Sequence, residues 1–229
     1  MPTLANLQKR MGVSFHNEAL LRRALTHRSF LNEHPEESED NERLEFLGDA
    51  VLDFLIAATL YHRFPEMSEG QLTALRSALV RTEQLASFAR HLDVGAALRV
   101  GKGEAEAGGR ERESVLCSTF EAIIGALYLD AGIEAVTAMV AQLFLPRAQE
   151  IVTLEADADA KSQFQVWAQA HRNHTPRYRT VKHAGPDHDR EFTVVVLVDG
   201  VVYGTGTGRS KKAAEQSAAL EALRRAGLA

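Results

Sequence analysis

The chain has 229 residues, of which 45% are hydrophobic and 25% charged, and it carries a formal net charge of −5. It is long enough for one large or two small domains, and because no run of about 18 apolar residues and no apolar leader segment is evident, we expect a soluble cytoplasmic protein without a membrane partner. Cys117 is the only cysteine, which excludes an intrachain disulfide or a cysteine-cluster zinc site and predicts a buried, structural thiol.

Apolar residues recur at helical spacing through most of the first 150 residues. The predicted helices cover residues 4–11, 17–26, 41–61, 68–91, 111–129 and 133–152, the last broken by Pro146. Two loops rich in glycine and charge, 34–40 and 101–112, are predicted to hold no buried structure. We therefore predict an all-α domain over residues 1–152.

The periodicity changes after a short acidic, alanine-rich segment, and we predict a linker over residues 153–160. Beyond it the pattern predicts a helix, three strands and a closing helix, over residues 159–171, 177–183, 191–198, 201–207 and 210–226. This small α-β-β-β-α domain, residues 161–229, has 11 Lys and Arg against 6 Asp and Glu, while residues 1–160 have 15 against 25. A domain with net charge +5 beside one with −10 favours a polyanionic ligand for the former.

Three carboxylates lie on one face of the helix predicted for residues 41–61. Glu42, Glu45 and Asp49 have the spacing i, i+3 and i+7, which places them within a sector of about 60°, opposite an apolar face. Like charges at this spacing repel one another, so the stripe requires a compensating partner. A divalent cation and a simple solvated acidic face are both open at this point.

A second helix, over residues 114–127, has a polar stripe formed by Ser118 and Glu121, with Gly125 beyond it. If the two polar stripes face each other, Glu45, Asp49 and Glu121 supply hard oxygen ligands of the kind that Mg²⁺ or Mn²⁺ prefers. The sequence alone does not decide whether they meet. No His-Glu-x-x-His or Gly-x-Ser-x-Gly motif is present, so a zinc hydrolase or a serine hydrolase has little support.

These two segments resemble motifs of a known family. The run Asn41-Glu42-Arg43-Leu44-Glu45-Phe46-Leu47-Gly48-Asp49-Ala50-Val51-Leu52 resembles the signature of the ribonuclease III family, and the helix around Glu121 resembles its second acidic segment. The family layout, a helical nuclease domain followed by one double-stranded-RNA-binding domain, covers essentially the whole chain. The resemblance implies hydrolysis of double-stranded RNA to 5′-phosphate and 3′-hydroxyl ends with Mg²⁺, for which Mn²⁺ can substitute, and no small-molecule cofactor, in ribosomal RNA processing and RNA turnover.

The resemblance also implies roles for individual acids. Asp49 and Glu121 are expected to be catalytic, and Glu45, Asp49 and Glu121 are expected to bind the metal. Glu42 and Glu69 match two further acids of the active-site valley.

One position departs from the family pattern. Family members usually have an aspartate where this chain has Ser118, and a neutral hydroxyl is a poorer metal ligand. We expect Ser118 to reach the metal through a water molecule and the enzyme to require more Mg²⁺. The alternative is a double-stranded-RNA-binding regulator whose catalysis has weakened at Ser118.

Phe46 projects about 40° from Glu42, on the acidic side of its helix. Such an aromatic side chain needs cover, either from a nearby loop or from a second subunit. The resemblance favours the second, because the family dimerises around this segment, and we predict a C₂ homodimer in which each subunit cuts one strand.

The second domain contains a glycine-rich run, residues 204–208, that leads into a basic helix start with Lys211 and Lys212. Free N–H groups and the helix dipole at this position favour phosphate, although a merely solvated helix start is the alternative. The setting resembles the double-stranded-RNA-binding domain, in which this helix spans phosphates of the major groove.

Four further residues are expected to contact RNA by resemblance. Gln165 in the first helix of the second domain and His188 in the following loop match minor-groove contacts; His188 is otherwise a solvated loop residue. In the nuclease domain, His27 and Arg28 lie in a segment that resembles part of the RNA path, and the alternative is that they cap their helix end.

Overall fold

The computed structural model describes residues 4–184 and 191–228 and, within them, every side chain except those of residues 154–159 and 184. His188 lies outside the described residues. The chain divides into two compact units, Met1–Gln149 and Glu150–Ala229. This division falls three residues before the predicted end of the first domain, residue 152.

The first unit is helical, as predicted. Its helices are α1 (Leu4–Met11), α2 (Glu18–Ala24), α3 (Arg28–Leu31), α4 (Glu42–Arg63), α5 (Glu69–Val80), α6 (Thr82–His91), α7 (Val94–Ala97), α8 (Lys102–Glu106), a 3₁₀ turn (Gly109–Glu111) and the start of α9 (Glu113–Arg172). The run predicted as one helix over residues 68–91 is two helices, because Arg81 between them is extended (φ −62°, ψ 150°).

The prediction that residues 101–112 hold no buried structure is wrong. The segment forms α8 and the 3₁₀ turn, and Gly109 is buried. Its charged groups have specific partners: Arg112 Nη1 lies 2.6 Å from Glu104 Oε1, and the Lys102 N–H donates to Glu33 Oε1 at 2.7 Å. These charges order the loop, so its polar composition did not indicate an open coil.

Helix α9 runs through several predicted boundaries. Gly132 (φ 80°, ψ −176°) interrupts it between the two helices predicted to either side, in a backbone conformation open essentially to glycine alone. The helix continues through Pro146, where a break was predicted, and through the predicted linker of residues 153–160. Alanine, leucine and glutamate make up five of the eight residues of the predicted linker and are good helix formers, which favours a helix there.

Part of α9, Glu113–Thr153, is long and apolar enough to cross a membrane, judged by length and composition only. The sequence analysis did not identify this run. Many of its apolar side chains, among them Leu116, Ile123 and Leu127, are buried, whereas Leu129 is 54% exposed. Phe88, Phe120 and Phe144 pack together there, with ring centroids 4.5 to 6.2 Å apart. The helix therefore forms the centre of a domain core.

The second unit has the predicted order of elements. After the C-terminal part of α9 come β1 (Arg177–Ala184), β2 (Glu191–Val198), β3 (Val201–Gly208) and α10 (Lys211–Arg225), with the strands antiparallel in the order β1-β2-β3. Asp199 and Gly200, both at positive φ, make the hairpin turn between β2 and β3. One sheet face packs on both helices around Phe164, Val194 and Val196.

Candidate active site

Two glycines allow α4 and α9 to touch backbone to backbone. A Cβ atom on Gly48 would lie 1.8 Å from the carbonyl oxygen of Glu121, and one on Gly125 would lie 2.3 Å from that of Leu44. No other residue fits at either position without moving a helix. The two polar stripes therefore do meet, a point that the sequence left open.

At this crossing the predicted acids come together. Ser118 Oγ donates to Glu45 Oε1 at 3.0 Å, across 73 residues of sequence. The Cys117 thiol donates to Glu121 Oε1 at 3.6 Å, which is within range for sulfur. Two neighbouring residues of α9 thus each hold one carboxylate.

The cluster is electrostatically strained. Burial, together with the charges of Asp49 and Glu45, raises the pKa of Glu121 to about 7. Burial and the neighbouring Glu121 carboxylate raise the pKa of the Cys117 thiol to about 12, so it remains a hydrogen-bond donor at neutral pH. Repulsion among these carboxylates therefore contributes to the raised pKa of Glu121.

The chemistry of the donors fits a divalent cation. Glu45, Asp49 and Glu121 offer hard oxygen ligands, and a cation among them would relieve the repulsion that raises the pKa of Glu121. Among the described residues, however, no three carboxylate, imidazole or thiol side chains converge closely enough to hold a metal ion as they stand. Glu45 and Glu121 instead accept hydrogen bonds from separate partners, Ser118 and Cys117.

The two further predicted acids lie outside the cluster in the single chain. Glu42 is exposed, and its Oε1 lies 3.5 Å from Arg28 Nη1. Glu69 accepts a hydrogen bond from Thr73 and lines an open groove of about 530 Å³ with Tyr61. Tyr61 is about three helical turns, or ~18 Å, along α4 from Asp49. One chain does not bring Glu69 against Glu121.

The outer face of α4 carries exposed aromatic side chains. Phe46 is 82% exposed, Phe54 63% and Tyr61 67%, and the three lie within about 80° of one another around the helix. At that exposure no loop in the described part of the chain covers Phe46, so the alternative of a local loop contact is not supported. Such a patch is typical of a surface that binds another protein.

His27 and Arg28 have structural roles. The backbone N–H of Ser29 donates to His27 Nδ1 at 3.3 Å, so His27 caps the N-terminus of α3. Arg28 pairs with Glu42, as described above. The predicted capping alternative therefore applies to His27, at the start of the following helix, and an RNA contact for either residue stays a prediction.

Cys117 is the site residue whose role the sequence analysis missed. It was predicted only as buried, which is confirmed, but its thiol also contacts Glu121. The signal was available: residues i and i+4 of a helix lie on the same face. Ser118 was singled out, but its direct hydrogen bond to Glu45 was not.

The basic helix start of the second unit has the predicted form. Ser210 caps α10 by accepting from the N–H of Ala213 at 3.1 Å, and Lys211 and Lys212 are exposed in its first turn. Gln165 is likewise exposed, on α9. Glycines of β3 bring the sheet directly against α10: a Cβ on Gly204 or Gly206 would lie 2.2 or 2.1 Å from backbone atoms of Ala218.

Comparison with known proteins gives matches to both units. A family model described as Ribonuclease-III-like matches residues 17–148, and one described as double-stranded RNA binding motif matches residues 160–225. Ribonuclease 3 of Roseiflexus sp. (strain RS-1) is 48% identical over 220 residues, covering 95% of this chain and 93% of that protein. Ribonuclease 3 of Pelotomaculum thermopropionicum is 44% identical over 226 residues, 98% of this chain and 94% of the relative.

Solved structures match the first unit. Two structures of the nuclease domain of ribonuclease III from Campylobacter jejuni are each 39% identical, with TM-scores of 0.58 and 0.59, and cover 63% and 64% of this chain and 99% and 97% of theirs. One of them is described as showing flexibility in the region involved in dimer formation. With acids on facing helices, a basic second unit and relatives that match along nearly its whole length, the chain belongs to the ribonuclease III family.

Proposed function

We propose that this chain is a cytoplasmic, Mg²⁺-dependent endoribonuclease that hydrolyses double-stranded RNA to 5′-phosphate and 3′-hydroxyl ends, in ribosomal RNA processing and RNA turnover. Membership of the family and the double-stranded RNA binding motif support action on double-stranded RNA. The observation that carries the proposal is the crossing of α4 and α9, which opposes Glu45 and Asp49 to Glu121.

Each residue of the cluster has a distinct part in this proposal. Mg²⁺ or Mn²⁺ held by Glu45, Asp49 and Glu121 would activate water and stabilise charge on phosphate oxygens. Ser118 fixes the carboxylate of Glu45, and Cys117 fixes that of Glu121. The N-terminus of α10, with Lys211 and Lys212, holds the phosphates of the duplex.

The direct test incubates the full chain with a long RNA duplex, with Mg²⁺ or with a chelator. We expect cutting only with Mg²⁺, and Glu121→Gln should lower the cutting rate at least about a hundredfold while duplex binding is retained. Glu134→Gln, an exposed glutamate on the same helix, is the matched control and should cut as wild type does. Binding without cutting in the wild type would contradict the proposal and favour the RNA-binding regulator instead.

Ser118 sets the expected metal requirement. A carboxylate at this position would add a negative ligand, so Ser118→Asp should lower the Mg²⁺ concentration for half-maximal cutting, and should bind Mg²⁺ more tightly in calorimetry without RNA. Ser118→Ala separates the two contributions of the side chain, because it removes the hydrogen bond to Glu45 without adding charge. Equal metal affinity in wild type and Ser118→Asp would remove Ser118 from the account of the metal site.

We also propose that the exposed aromatic face of α4 forms the interface of a C₂ homodimer. This proposal rests on the exposure of Phe46, Phe54 and Tyr61. The solved structure described as having a dimer-forming region supports it. Phe46→Ala should be monomeric at low concentration in analytical ultracentrifugation. Val166→Ala, which also truncates an exposed apolar side chain, should remain dimeric. A dimeric Phe46→Ala protein would exclude this role for Phe46.

A further inference from the structure

The second unit contains a polar pocket whose lining includes none of the proposed RNA-contact residues. It has a volume of about 870 Å³, and its walls come from the end of α9, the start of β1 and the β2–β3 turn. Its lining includes Gln169, Asn173, Arg177, Arg179, Leu197 and Asp199. A pocket of this size suits a small ligand of nucleotide dimensions.

The pocket lies at the opposite end of the sheet from the basic start of α10. It includes the first residue of β1 and the turn that precedes β3, whereas Lys211 follows the last residue of β3. A strand of eight residues spans roughly 26 Å. A ligand in the pocket therefore would not contact Lys211 or Lys212, and the pocket is a separate binding site.

The charge of the pocket favours an anion. Arg177 and Arg179 alternate along β1, so both side chains leave the same face of the sheet, about 6.6 Å apart along the strand. Within residues 4–184 and 191–228 neither makes an ion pair, although both are exposed. Asp199 is the one acid in the lining, and it already lies 3.6 Å from His174 Nε2.

The remaining polar groups suit a nucleotide. Gln169 Nε2 donates to Asn173 Oδ1 at 3.4 Å, which leaves a carbonyl oxygen on Gln169 and an N–H on Asn173 for a base edge. Leu197, which pairs with Arg177 in the register of β1 and β2, adds apolar surface beside the arginines. Guanidinium groups bind phosphate through a planar fork of donors.

From this geometry we propose that the pocket binds the terminal nucleotide of a single RNA strand, with Arg177 and Arg179 on its terminal phosphate. The proposal goes beyond cleavage of the duplex and does not depend on it. The two arginines bind the phosphate, and the amides of Gln169 and Asn173 contact the base. Duplex contacts at α10 and strand-end contacts at this pocket can be occupied independently.

The test measures binding of a short single-stranded RNA to the full chain, by fluorescence anisotropy, with a chelator present. Probes carrying a 5′-phosphate, a 3′-phosphate or neither are compared. We expect one phosphorylated probe to bind about tenfold more tightly than the unphosphorylated one, and Arg177→Ala/Arg179→Ala to remove that difference. The preferred probe identifies which end of the strand the pocket holds.

Three variants serve as controls. Arg224→Ala removes an exposed arginine of the same unit outside the pocket and should change binding less than about twofold. Lys211→Ala/Lys212→Ala should weaken duplex binding but keep the preference for the phosphorylated strand. Arg177→Lys/Arg179→Lys keeps the charge but loses the fork, and should retain only part of the preference.

Equal binding of all three probes by the wild type would overturn the proposal, as would an unchanged preference in Arg177→Ala/Arg179→Ala. Displacement of the probe by an acidic peptide as effectively as by a nucleoside monophosphate would also overturn it, because the pocket would then select charge alone. None of these three results bears on duplex cutting, so a failure here is distinct from a failure of the proposed nuclease activity.

Discussion

Both units of the chain use glycine to bring a helix against a neighbouring backbone, but they place charge differently at the contact. In the first unit Gly48 and Gly125 let α4 and α9 touch, and carboxylates of both helices gather beside that contact. In the second unit Gly204 and Gly206 let the sheet touch α10 at small alanine residues. The lysines there are at the end of the helix, away from the contact.

The difference separates two ways of building a site. In the first unit the carboxylates that repel one another lie at the contact between α4 and α9. The groups proposed for catalysis therefore lower the stability of the fold. In the second unit the packed contact is apolar, and Lys211 and Lys212, the proposed phosphate contacts, are exposed to solvent. We therefore expect substitutions in the acid cluster to affect folding and cutting together, and substitutions of the lysines to affect RNA binding alone.

The largest effect is expected at the closest contact. In Gly48→Ala the new Cβ would lie 1.8 Å from a carbonyl oxygen, so the helices must separate, and we expect a loss of about 3 kcal/mol or more in the free energy of unfolding together with loss of cutting. Urea denaturation measures the first and duplex cleavage the second. Gly70→Ala is the matched control: nothing lies within 4 Å of its Cβ position in α5, and we expect a gain of about 0.5 to 1 kcal/mol.

Gly206→Ala sharpens the comparison, because its Cβ would lie 2.1 Å from the backbone N of Ala218. It should destabilise the second unit and leave the unfolding of the first unchanged. A Gly48→Ala protein that unfolds as wild type does would contradict the closeness of the α4–α9 contact.

The second effect concerns RNA affinity. Lys211→Ala/Lys212→Ala removes two exposed charges from the first turn of α10, and we expect about tenfold weaker duplex binding. The slope of log K against log salt should become shallower by about 2, since each phosphate contact contributes about 1. Binding measured from low to moderate salt tests this, with thermal unfolding expected to remain unchanged. A wild-type salt slope in the double variant would show that these lysines do not contact phosphate.

The third effect is a pH-dependent stability. Because the pKa of Glu121 is raised from 4.5 to about 7 in the folded state, its ionised form is disfavoured there. The stability that the protonated group contributes is complete below about pH 4.5 and is lost as the pH rises through about 7. Without metal, Glu121→Gln should therefore be more stable than wild type by about 1 to 2 kcal/mol at pH 8, after allowance for solvent screening, and no more stable at pH 4.5.

Urea unfolding at both pH values in a chelating buffer measures this difference, with Glu134→Gln as a control that should show no pH-dependent gain. If Glu121→Gln were less stable than wild type at pH 8, the carboxylate repulsion inferred for the cluster would be absent.

The smallest effect is expected in the second unit. The hydroxyl oxygen of Tyr178 is buried and has no hydrogen-bond partner among the described residues, while Lys161 Nζ lies 4.5 Å from its ring centroid. Tyr178→Phe keeps the ring and removes the unsatisfied group, so it should stabilise the unit by about 1 kcal/mol. Thermal unfolding tests this, and a loss of stability would mean that the hydroxyl has a partner.

Local periodicity predicted much of this protein. The sequence predicted three features that depend on residues close to one another in the chain. They are the carboxylate spacing of Glu42, Glu45 and Asp49, the polar stripe of Ser118 and Glu121, and the order of elements in the second unit. The fold class is confirmed. The assignments of metal ligands and RNA contacts remain predictions.

Local sequence patterns did not predict the contacts between residues that are far apart in the chain. Whether the two stripes meet depends on the fit of Gly48 and Gly125 into facing backbones, and the bond from Ser118 to Glu45 joins residues 73 positions apart. The Lys102 N–H at the start of α8 donates to Glu33, 69 positions earlier in the chain. Each of these contacts is set by tertiary packing, which no window of the sequence contains.

Glu121 provides both the carbonyl oxygen nearest to Gly48 and the most perturbed carboxylate of the cluster. One residue thus provides both the tightest fit of the helix pair and an acid proposed for catalysis, so any change that slides α9 along α4 displaces that acid with it. A directed-evolution campaign for heat resistance would find few acceptable changes at this crossing. Gains should come instead from open positions such as Gly70, where the backbone can be stiffened without moving Glu121.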